Sequence, residues 1–203
     1  MKENLVISEI EFVLTNIVGY NPDKLVYFAL TSKIEFQLRD RIAFHLYNKF
    51  REKYIVTREW KKCDLAILDK ESLKPLFLIE CKACYGFDLI NKGTLKEYVT
   101  AINKDFEKSS RIADIDTEII SILFITKPAH NIPENLLPII KYSKAINRAD
   151  NKLGAENITK IGEVELTNEF SEISFGHICN GNAYEINCSL DFAIIRKTKH
   201  LIT

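Results

Sequence analysis

LFLIECKACY, from Leu76 to Tyr85, combines a strand-like apolar run with two charged residues. Its apolar start is typical of a strand buried on both faces, yet the run continues through Glu80 and Lys82. Side chains alternate along a strand, so Glu80 and Lys82 point to one face while Cys81 points to the other. A carboxylate and an ammonium are therefore expected side by side near the end of a buried strand.

The preceding apolar run, DLAIL from Asp64 to Leu68, supplies a second carboxylate. If the polar segment between the two runs turns at Ser72, Asp64 and Glu80 lie opposite each other on one face, with β-carbons about 5 Å apart. Carboxylates that close repel unless a cation lies between them, and Mg²⁺ is commonly held by one or two carboxylates plus waters and substrate phosphate. Lys82 can then neutralise a phosphate or hold an attacking water.

Hydrophobic spacing predicts the elements around this hairpin. We predict four helices: one after Ser8 ending near Gly19, one from near Asp23 to about Phe50 with Glu35 beside its apolar stripe, one from Thr94 as N-cap to about Ala113, and one from about Glu134 to Arg148. Strands are predicted at 54–60, 64–68, 76–81 and 118–126. After Glu156 we expect mostly strands, with Asn180-Gly181 as a hairpin turn.

This element order indicates a mixed α/β (α+β) fold. Because a helix separates the strand at 118–126 from the three-stranded meander, that strand is expected to join the sheet in parallel. The length of 203 residues favours a single domain, with a core at about 24–126 and a C-terminal β-rich extension at about 156–203.

The arrangement resembles the active-site motif of the PD-(D/E)XK nuclease superfamily, the restriction-endonuclease-like fold. Asp64 stands where that motif has its first acid, and Glu80-Cys81-Lys82 stands where it has (D/E)-X-K. Glu35, in SKIEFQLRDRIAFHL, matches a glutamate contributed by an upstream helix. The chain departs from the pattern at Cys63, where the family name has Pro. The resemblance covers roughly residues 24–126 and implies an αβββαβ core with a mixed central sheet.

By this resemblance the chain is a metal-dependent deoxyribonuclease, a restriction-type endonuclease that hydrolyses phosphodiester bonds of DNA. Mg²⁺ or Mn²⁺ would be held by Asp64, Glu80 and the backbone carbonyl of Cys81. Glu35 would bind a second metal or its water shell, and Lys82 would orient the attacking water. We expect duplex DNA as the substrate, and a homodimer if the enzyme makes a double-strand break.

Basic residues in runs near the centre are the candidate phosphate contacts, because Lys and Arg position a duplex without reading its bases. They are Arg58, Lys61, Lys62, Lys104, Lys108, Lys141, Lys144 and Arg148. The whole chain carries 28 basic and 28 acidic residues, so its net charge gives no sign of an anionic partner.

Other interpretations remain open from the sequence. Glu80 and Lys82 can form an ordinary surface ion pair, and a nuclease fold can serve as a catalytically inactive module that binds nucleic acid or a protein partner. The C-x-x-C spacing of Cys81 and Cys84 also occurs in redox and zinc proteins, although no second C-x-x-C accompanies it. Five cysteines, an odd number, favour buried free thiols instead.

The chain is expected to be cytoplasmic. Its longest apolar runs are strand-length and are interrupted by charged residues, so no membrane span is predicted. Its first residues, MKENLVISEIEF, carry acids where a secretion signal needs an unbroken apolar segment.

Overall fold

The protein is built on one mixed β-sheet. A computed structural model describes residues 3–16 and 21–197, and in this part of the chain the sheet has six strands in the order β1-β2-β3-β4-β6-β5. The strands are β1 Tyr54–Trp60, β2 Cys63–Asp69, β3 Pro75–Tyr85, β4 Glu118–Pro128, β5 Ile173–Ala183 and β6 Ile186–Arg196. β3 and β4 run parallel and the other neighbours are antiparallel. The predicted mixed α/β class and the parallel β4 are confirmed.

Helices cover both faces of the sheet. They are α1 Glu3–Thr15, α2 Pro22–Thr31, α3 Glu35–Phe50, α4 Gly86–Ile90, α5 Lys92–Ser110, α6 Ser143–Leu153 and α7 Ala155–Glu169, with a 3-10 turn at Glu134–Leu136. The buried residues of α1, α2 and α3 join one apolar cluster, and those of α4 and α5 join another. None of the helices in the described ranges is long and apolar enough to cross a membrane.

β3 separates these two clusters because its side chains alternate between them. Phe77, Ile79 and Cys81 belong to the cluster beneath α1–α3, whereas Leu78 and Cys84 belong to the cluster beneath α5. Glu80 and Lys82 fall on the α5 face by the same alternation. The prediction that these two residues share a face is confirmed.

The single helix predicted from Asp23 to Phe50 is wrong, because the chain breaks between α2 and α3. Ser32 is extended, with φ −152° and ψ 178°, and its N–H donates to the carbonyl of Phe28 at 2.7 Å. The apolar residues keep their four-residue spacing across the break, which concealed it in the sequence. The break places Glu35 at the first position of α3 rather than in mid-helix.

The C-terminal region is less β-rich than predicted, since residues 155–169 form α7. Ile158, Gly162 and Leu166 are buried at four-residue spacing, a helical signal that β-branched neighbours and a central glycine obscured. A β-carbon on Gly162 would lie 3.1 Å from Cβ of Leu89 in α4. Close packing against α4 therefore outweighs the low helix propensity of the glycine.

The predicted turn at Asn180-Gly181 is also wrong, because both residues lie inside β5. The hairpin turns instead at Tyr184 and Glu185, which have φ of 55° and 61°. A β-carbon on Gly181 would lie 2.8 Å from backbone atoms of Pro22, so the glycine permits close approach of α2 to the sheet.

Three further helix boundaries differ from prediction. The first helix begins at Glu3, before Ser8, and its predicted end near Gly19 lies outside the described residues. The helix predicted at 134–148 is a short 3-10 turn followed by α6. Asn91, not Thr94, caps α5, because its side chain accepts hydrogen bonds from the N–H groups of Gly93 and Thr94.

Candidate active site

The candidate site lies where β2 and β3 part. Their ladder has the predicted register, with Leu65 paired to Ile79 and Ala66 to Leu78. Continuing this register by one residue brings position 64 opposite position 80. The hairpin thus delivers Asp64 and Glu80 to the same end of the paired strands.

The sequence predicted that Asp64 shares a face with Glu80, and this prediction is wrong: Oδ1 of Asp64 lies 3.6 Å from Arg39 of α3, whereas Glu80 contacts α5. Cys63 belongs to the apolar cluster beneath α5 and Leu65 to the cluster beneath α3, although residues two apart in a regular strand face the same way. The backbone therefore twists at Asp64, and its Oδ2 accepts a hydrogen bond from the N–H of Cys81 at 2.8 Å. The carboxylate of Asp64 thus lies between the two strands and accepts the hydrogen bond that a main-chain carbonyl of β2 would accept in a regular ladder.

The carbonyl of Cys81 points towards the same opening. Within an antiparallel ladder the N–H and C=O of one residue face the same neighbouring strand. Because the N–H of Cys81 faces Asp64, its carbonyl oxygen faces the side of β3 from which β2 has departed. The strand geometry thus adds a main-chain oxygen to the carboxylates predicted from the sequence.

Glu80 is almost completely buried, with 3% of its surface exposed. Its Oε1 lies 2.7 Å from Nζ of Lys108 and accepts a hydrogen bond from Oγ of Ser109 at 3.3 Å, both residues being in α5. Burial raises the pKa of Glu80, Lys108 opposes this shift, and the charge of Asp64 adds to it, so that the net pKa is about 7. The charge of Asp64 therefore acts directly on the buried carboxyl.

Lys82 is held by α5 in the same way. Its Nζ lies 2.5 Å from Oδ2 of Asp105, and the two side chains are 23% and 18% exposed. Asp105 also lies 3.4 Å from Nζ of Lys108. The charges thus alternate between β3 and α5 in the order Glu80, Lys108, Asp105 and Lys82. This arrangement fixes the orientation of the Lys82 ammonium.

Glu35 approaches from the opposite layer of the fold. With Lys82 it lines a cleft of about 460 Å³. Burial raises the pKa of Glu35, and the charge of Asp64 raises it further while that of Lys82 lowers it. The four residues predicted as catalytic, Glu35, Asp64, Glu80 and Lys82, are thus brought into one charged cluster from two helix layers.

Arg39 is a member of this cluster that sequence reasoning missed. It is only 6% exposed, and its guanidinium lies 3.6 Å from Oδ1 of Asp64 and 3.0 Å from Asp40, with a further ion pair to Glu59. Arg39 follows Glu35 by four residues in α3, so one helix face carries both towards β2. This four-residue spacing is the feature of the sequence from which Arg39 could have been predicted as a neighbour of Glu35.

The predicted phosphate contacts fall into distinct environments. Lys108 pairs with Glu80 and donates to the carbonyl of Lys62 at 2.9 Å, so it belongs to the centre itself. Arg58 is paired with Asp40 at 2.6 Å. Lys61, Lys62, Lys104, Lys144 and Arg148 are exposed, and Lys141 is partly buried with its Nζ 5.2 Å from the ring centre of Tyr142.

The donor groups suit a Mg²⁺ ion that takes few protein ligands. Across residues 3–16 and 21–197, no group of three or more His, Cys, Asp or Glu side chains is arranged to hold a metal ion. Mg²⁺ is usually bound through one or two carboxylates and completes its shell with waters and substrate phosphate. Asp64, Glu80 and the carbonyl of Cys81 are oxygen donors of the kind and number that such an ion takes, and Glu35 belongs to the same charged cluster.

The cysteines do not form a second site. All five are free and buried. Cys81 and Cys84 project to opposite faces of β3, so their thiols cannot act together on one metal or as one disulfide. Burial raises the pKa of both thiols, which keeps them protonated and unreactive.

Comparisons with protein-family models, with curated proteins and with solved structures found no significant match to this chain. Its function is therefore inferred from its own residues.

Proposed function

We propose that this chain is a Mg²⁺-dependent DNA endonuclease with a PD-(D/E)XK-type centre. The observation that carries the proposal is the hydrogen bond from the N–H of Cys81 to Asp64. It places a carboxylate at the point where the two strands part, beside buried Glu80, with Lys82 next on the same face as Glu80. An ordinary surface ion pair requires neither the burial nor the departure of β2 from its ladder.

Asp64, Glu80 and the carbonyl of Cys81 would hold the ion, with Glu35 binding a second ion or its water shell. Bound Mg²⁺ supplies Lewis-acid stabilisation of charge on the scissile phosphate and lowers the pKa of a bound water. The burial of Glu80 strengthens its interaction with a cation, because water screens charges poorly there.

Lys82 orients the attacking water or neutralises charge on the phosphate. Asp105 holds its ammonium through the 2.5 Å ion pair, and the Lys82 side chain lines the cleft. Asp105 is therefore a positioning residue rather than a catalytic one.

The exposed Lys61 and Lys62, at the turn between β1 and β2, lie on the loop that leads directly to Asp64 and are the proposed phosphate contacts nearest to it in sequence. Duplex DNA and a homodimer remain the proposed substrate and assembly for double-strand cleavage.

The Lys82→Ala variant tests the proposal. Plasmid DNA, linear single-stranded DNA and RNA are incubated with the protein with and without Mg²⁺. We expect Mg²⁺-dependent cleavage of DNA by the wild type, and a rate at least about 100-fold lower in the variant because a group that stabilises developing charge is lost. The melting temperature should change by only a few degrees, since the ion pair it removes is partly exposed.

Lys96→Ala is the matched control, because Lys96 is an exposed lysine of α5 and should not affect cleavage. Undiminished cleavage by Lys82→Ala would exclude the mechanism. Tight binding of DNA without cleavage under any metal would favour the second candidate, an inactive nuclease-fold module.

A further inference from the structure

The cleft beside the centre has two chemically different parts. Glu35 and Lys82 line one part, and Phe87 and Tyr142 line another. The volume of about 460 Å³ lies in the range of pockets that take one small molecule or one residue of a polymer. A paired double helix is far larger than this space.

Tyr142 is an exposed aromatic ring that is held rigidly. It is 47% exposed, and its ring lies edge-to-face with Tyr85 at 5.3 Å and with Phe87 at 6.1 Å between ring centres. Tyr85 is itself buried and donates from its hydroxyl to the carbonyl of Ala29 at 2.7 Å. The exposed ring therefore rests on a buried, anchored one.

The backbone of Tyr142 is unusual for such a residue. Its φ of 59° and ψ of 20° lie in the left-handed region, which bulky side chains rarely adopt. Strain of this kind persists where surrounding structure enforces it, and it is concentrated at ligand sites. The conformation begins α6 and directs the ring of Tyr142 to the cleft wall.

The charged residues that line the cleft restrict which chemical groups of a ligand can bind there. Its lining contains three acids, Glu35, Asp88 and Glu97, against two bases, Lys33 and Lys82. A phosphate is repelled by such a lining except beside Lys82 and a bound cation. A flat ring with polar edges suits the remaining part, because every nucleobase has a face that stacks on aromatic side chains.

We propose that this cleft binds one unpaired nucleotide of the DNA strand that is cut, with its base against Tyr142 and Phe87 and its phosphate towards Lys82. This inference rests on the proposed nuclease function and specifies its substrate. A base can enter only if it has left the helical stack, so cleavage of duplex DNA requires local unpairing at the cut strand, and a duplex that already contains unpaired nucleotides is cut in preference to a fully paired one. Lys141, whose Nζ lies 5.2 Å from the ring centre of Tyr142, is placed to contact a neighbouring phosphate.

The test measures stacking directly and does not depend on cleavage. A single-stranded DNA carrying 2-aminopurine, whose fluorescence falls when the base stacks, is titrated with the Asp64→Asn protein in Mg²⁺. Tyr142→Gly in the same background removes the ring and suits the left-handed backbone. We expect this variant to lose the quenching and to bind about 5- to 150-fold more weakly, while Tyr142→Phe binds like its parent.

Tyr47→Ala is the matched control, because Tyr47 is 44% exposed and does not line the cleft. If Tyr142→Gly does not fold, Tyr142→Leu repeats the test with apolar bulk but no aromatic face. Equal quenching and affinity with and without the Tyr142 ring, or an equal loss in Tyr47→Ala, would overturn the inference. Wild-type cleavage without Tyr142-dependent stacking would refute this inference alone. Stacking without any metal-dependent cleavage would refute the nuclease function alone.

Discussion

Glu80 is the residue whose surroundings set the pH response of the site. Burial raises its pKa to about 7, so the unfolded chain releases this proton at lower pH than the folded chain does. The stabilising contribution of Glu80 is therefore complete below its unfolded pKa and is lost as pH rises through about 7. Each unit of difference between the two pKa values corresponds to about 1.4 kcal/mol.

We predict that Glu80→Gln reduces the decline in unfolding free energy between about pH 5 and pH 8, in the absence of divalent metal. The glutamine keeps the shape of the side chain but does not titrate. Urea denaturation at a series of pH values measures this, with Glu97→Gln, an exposed carboxylate, as the control. Parallel pH profiles for Glu80→Gln and the wild type would show that Glu80 is not the titrating group.

The sequence predicted the strand residues of the centre together with Glu35 and Lys108 from the helices, but it did not predict Arg39 or Asp105. Spacing about Ser72 gave the register of Asp64 and Glu80 because hairpin pairing depends only on distance along the chain. It did not reveal the twist at Asp64 or the pairing of Lys82 with Asp105 in α5. Such contacts depend on how helices rotate against the sheet, which local periodicity does not specify.

At the scale of elements, α5 is the part of the fold that positions the lysine of the centre. Asp105, Lys108 and Ser109, all near its C-terminal end, contact Glu80 or Lys82. Asn91 caps its N-terminus by accepting from the N–H groups of Gly93 and Thr94. A capping residue satisfies donors that the helix itself leaves unpaired.

We predict that Asn91→Ala destabilises the protein by about 1 kcal/mol through loss of this cap. Thr94→Ala should have a smaller effect, because Thr94 lies inside α5 and does not cap it. In a domain of this size, 1 kcal/mol lowers the melting temperature by about 2–4 °C, which calorimetry resolves. A larger loss for Thr94→Ala than for Asn91→Ala would contradict the assignment of the cap.

The elements that the sequence predicted well are those with uninterrupted periodicity. The three-stranded meander and the strand at Glu118 are confirmed, including the parallel direction of β4. The break after α2 and the existence of α7 were missed because tertiary contacts outweighed local signals. Ser32 ends a helix whose apolar spacing continues, and Gly162 remains helical against α4.

At the scale of the whole molecule, the C-terminal hairpin completes the sheet. β6 pairs with β4 from Ile120 opposite Arg196 to Pro128 opposite Cys188. Its residues Leu190, Phe192 and Ile194 are buried in the cluster beneath α1–α3. The hairpin thus contributes core to the same layer that carries Glu35.

We predict that a chain ending after Glu169 loses cooperative unfolding. In this shortened chain β4 has no β6 neighbour, and the core lacks the buried side chains of Leu190, Phe192 and Ile194. Circular dichroism during heating measures this, with the full chain as reference. A sharp transition near the full-length melting temperature would show that residues 1–169 fold without the hairpin.

The two helix layers meet at the centre from opposite faces of the sheet. Glu35 and Arg39 come from α3, while Lys108 and Asp105 come from α5. The opening between β2 and β3 lets residues of both layers act on one place. We propose that a divalent cation binds at this opening.

Titration with Mn²⁺, followed by the electron paramagnetic resonance of the free ion, measures this binding. The wild type and Glu71→Gln, in which an exposed carboxylate outside the cleft is neutralised, are predicted to take up Mn²⁺ alike. Asp64→Asn and Glu80→Gln should each bind it at least about tenfold more weakly, since each replaces a proposed charged oxygen ligand by a neutral one. Equal uptake by all four proteins, or none by the wild type, would contradict the account.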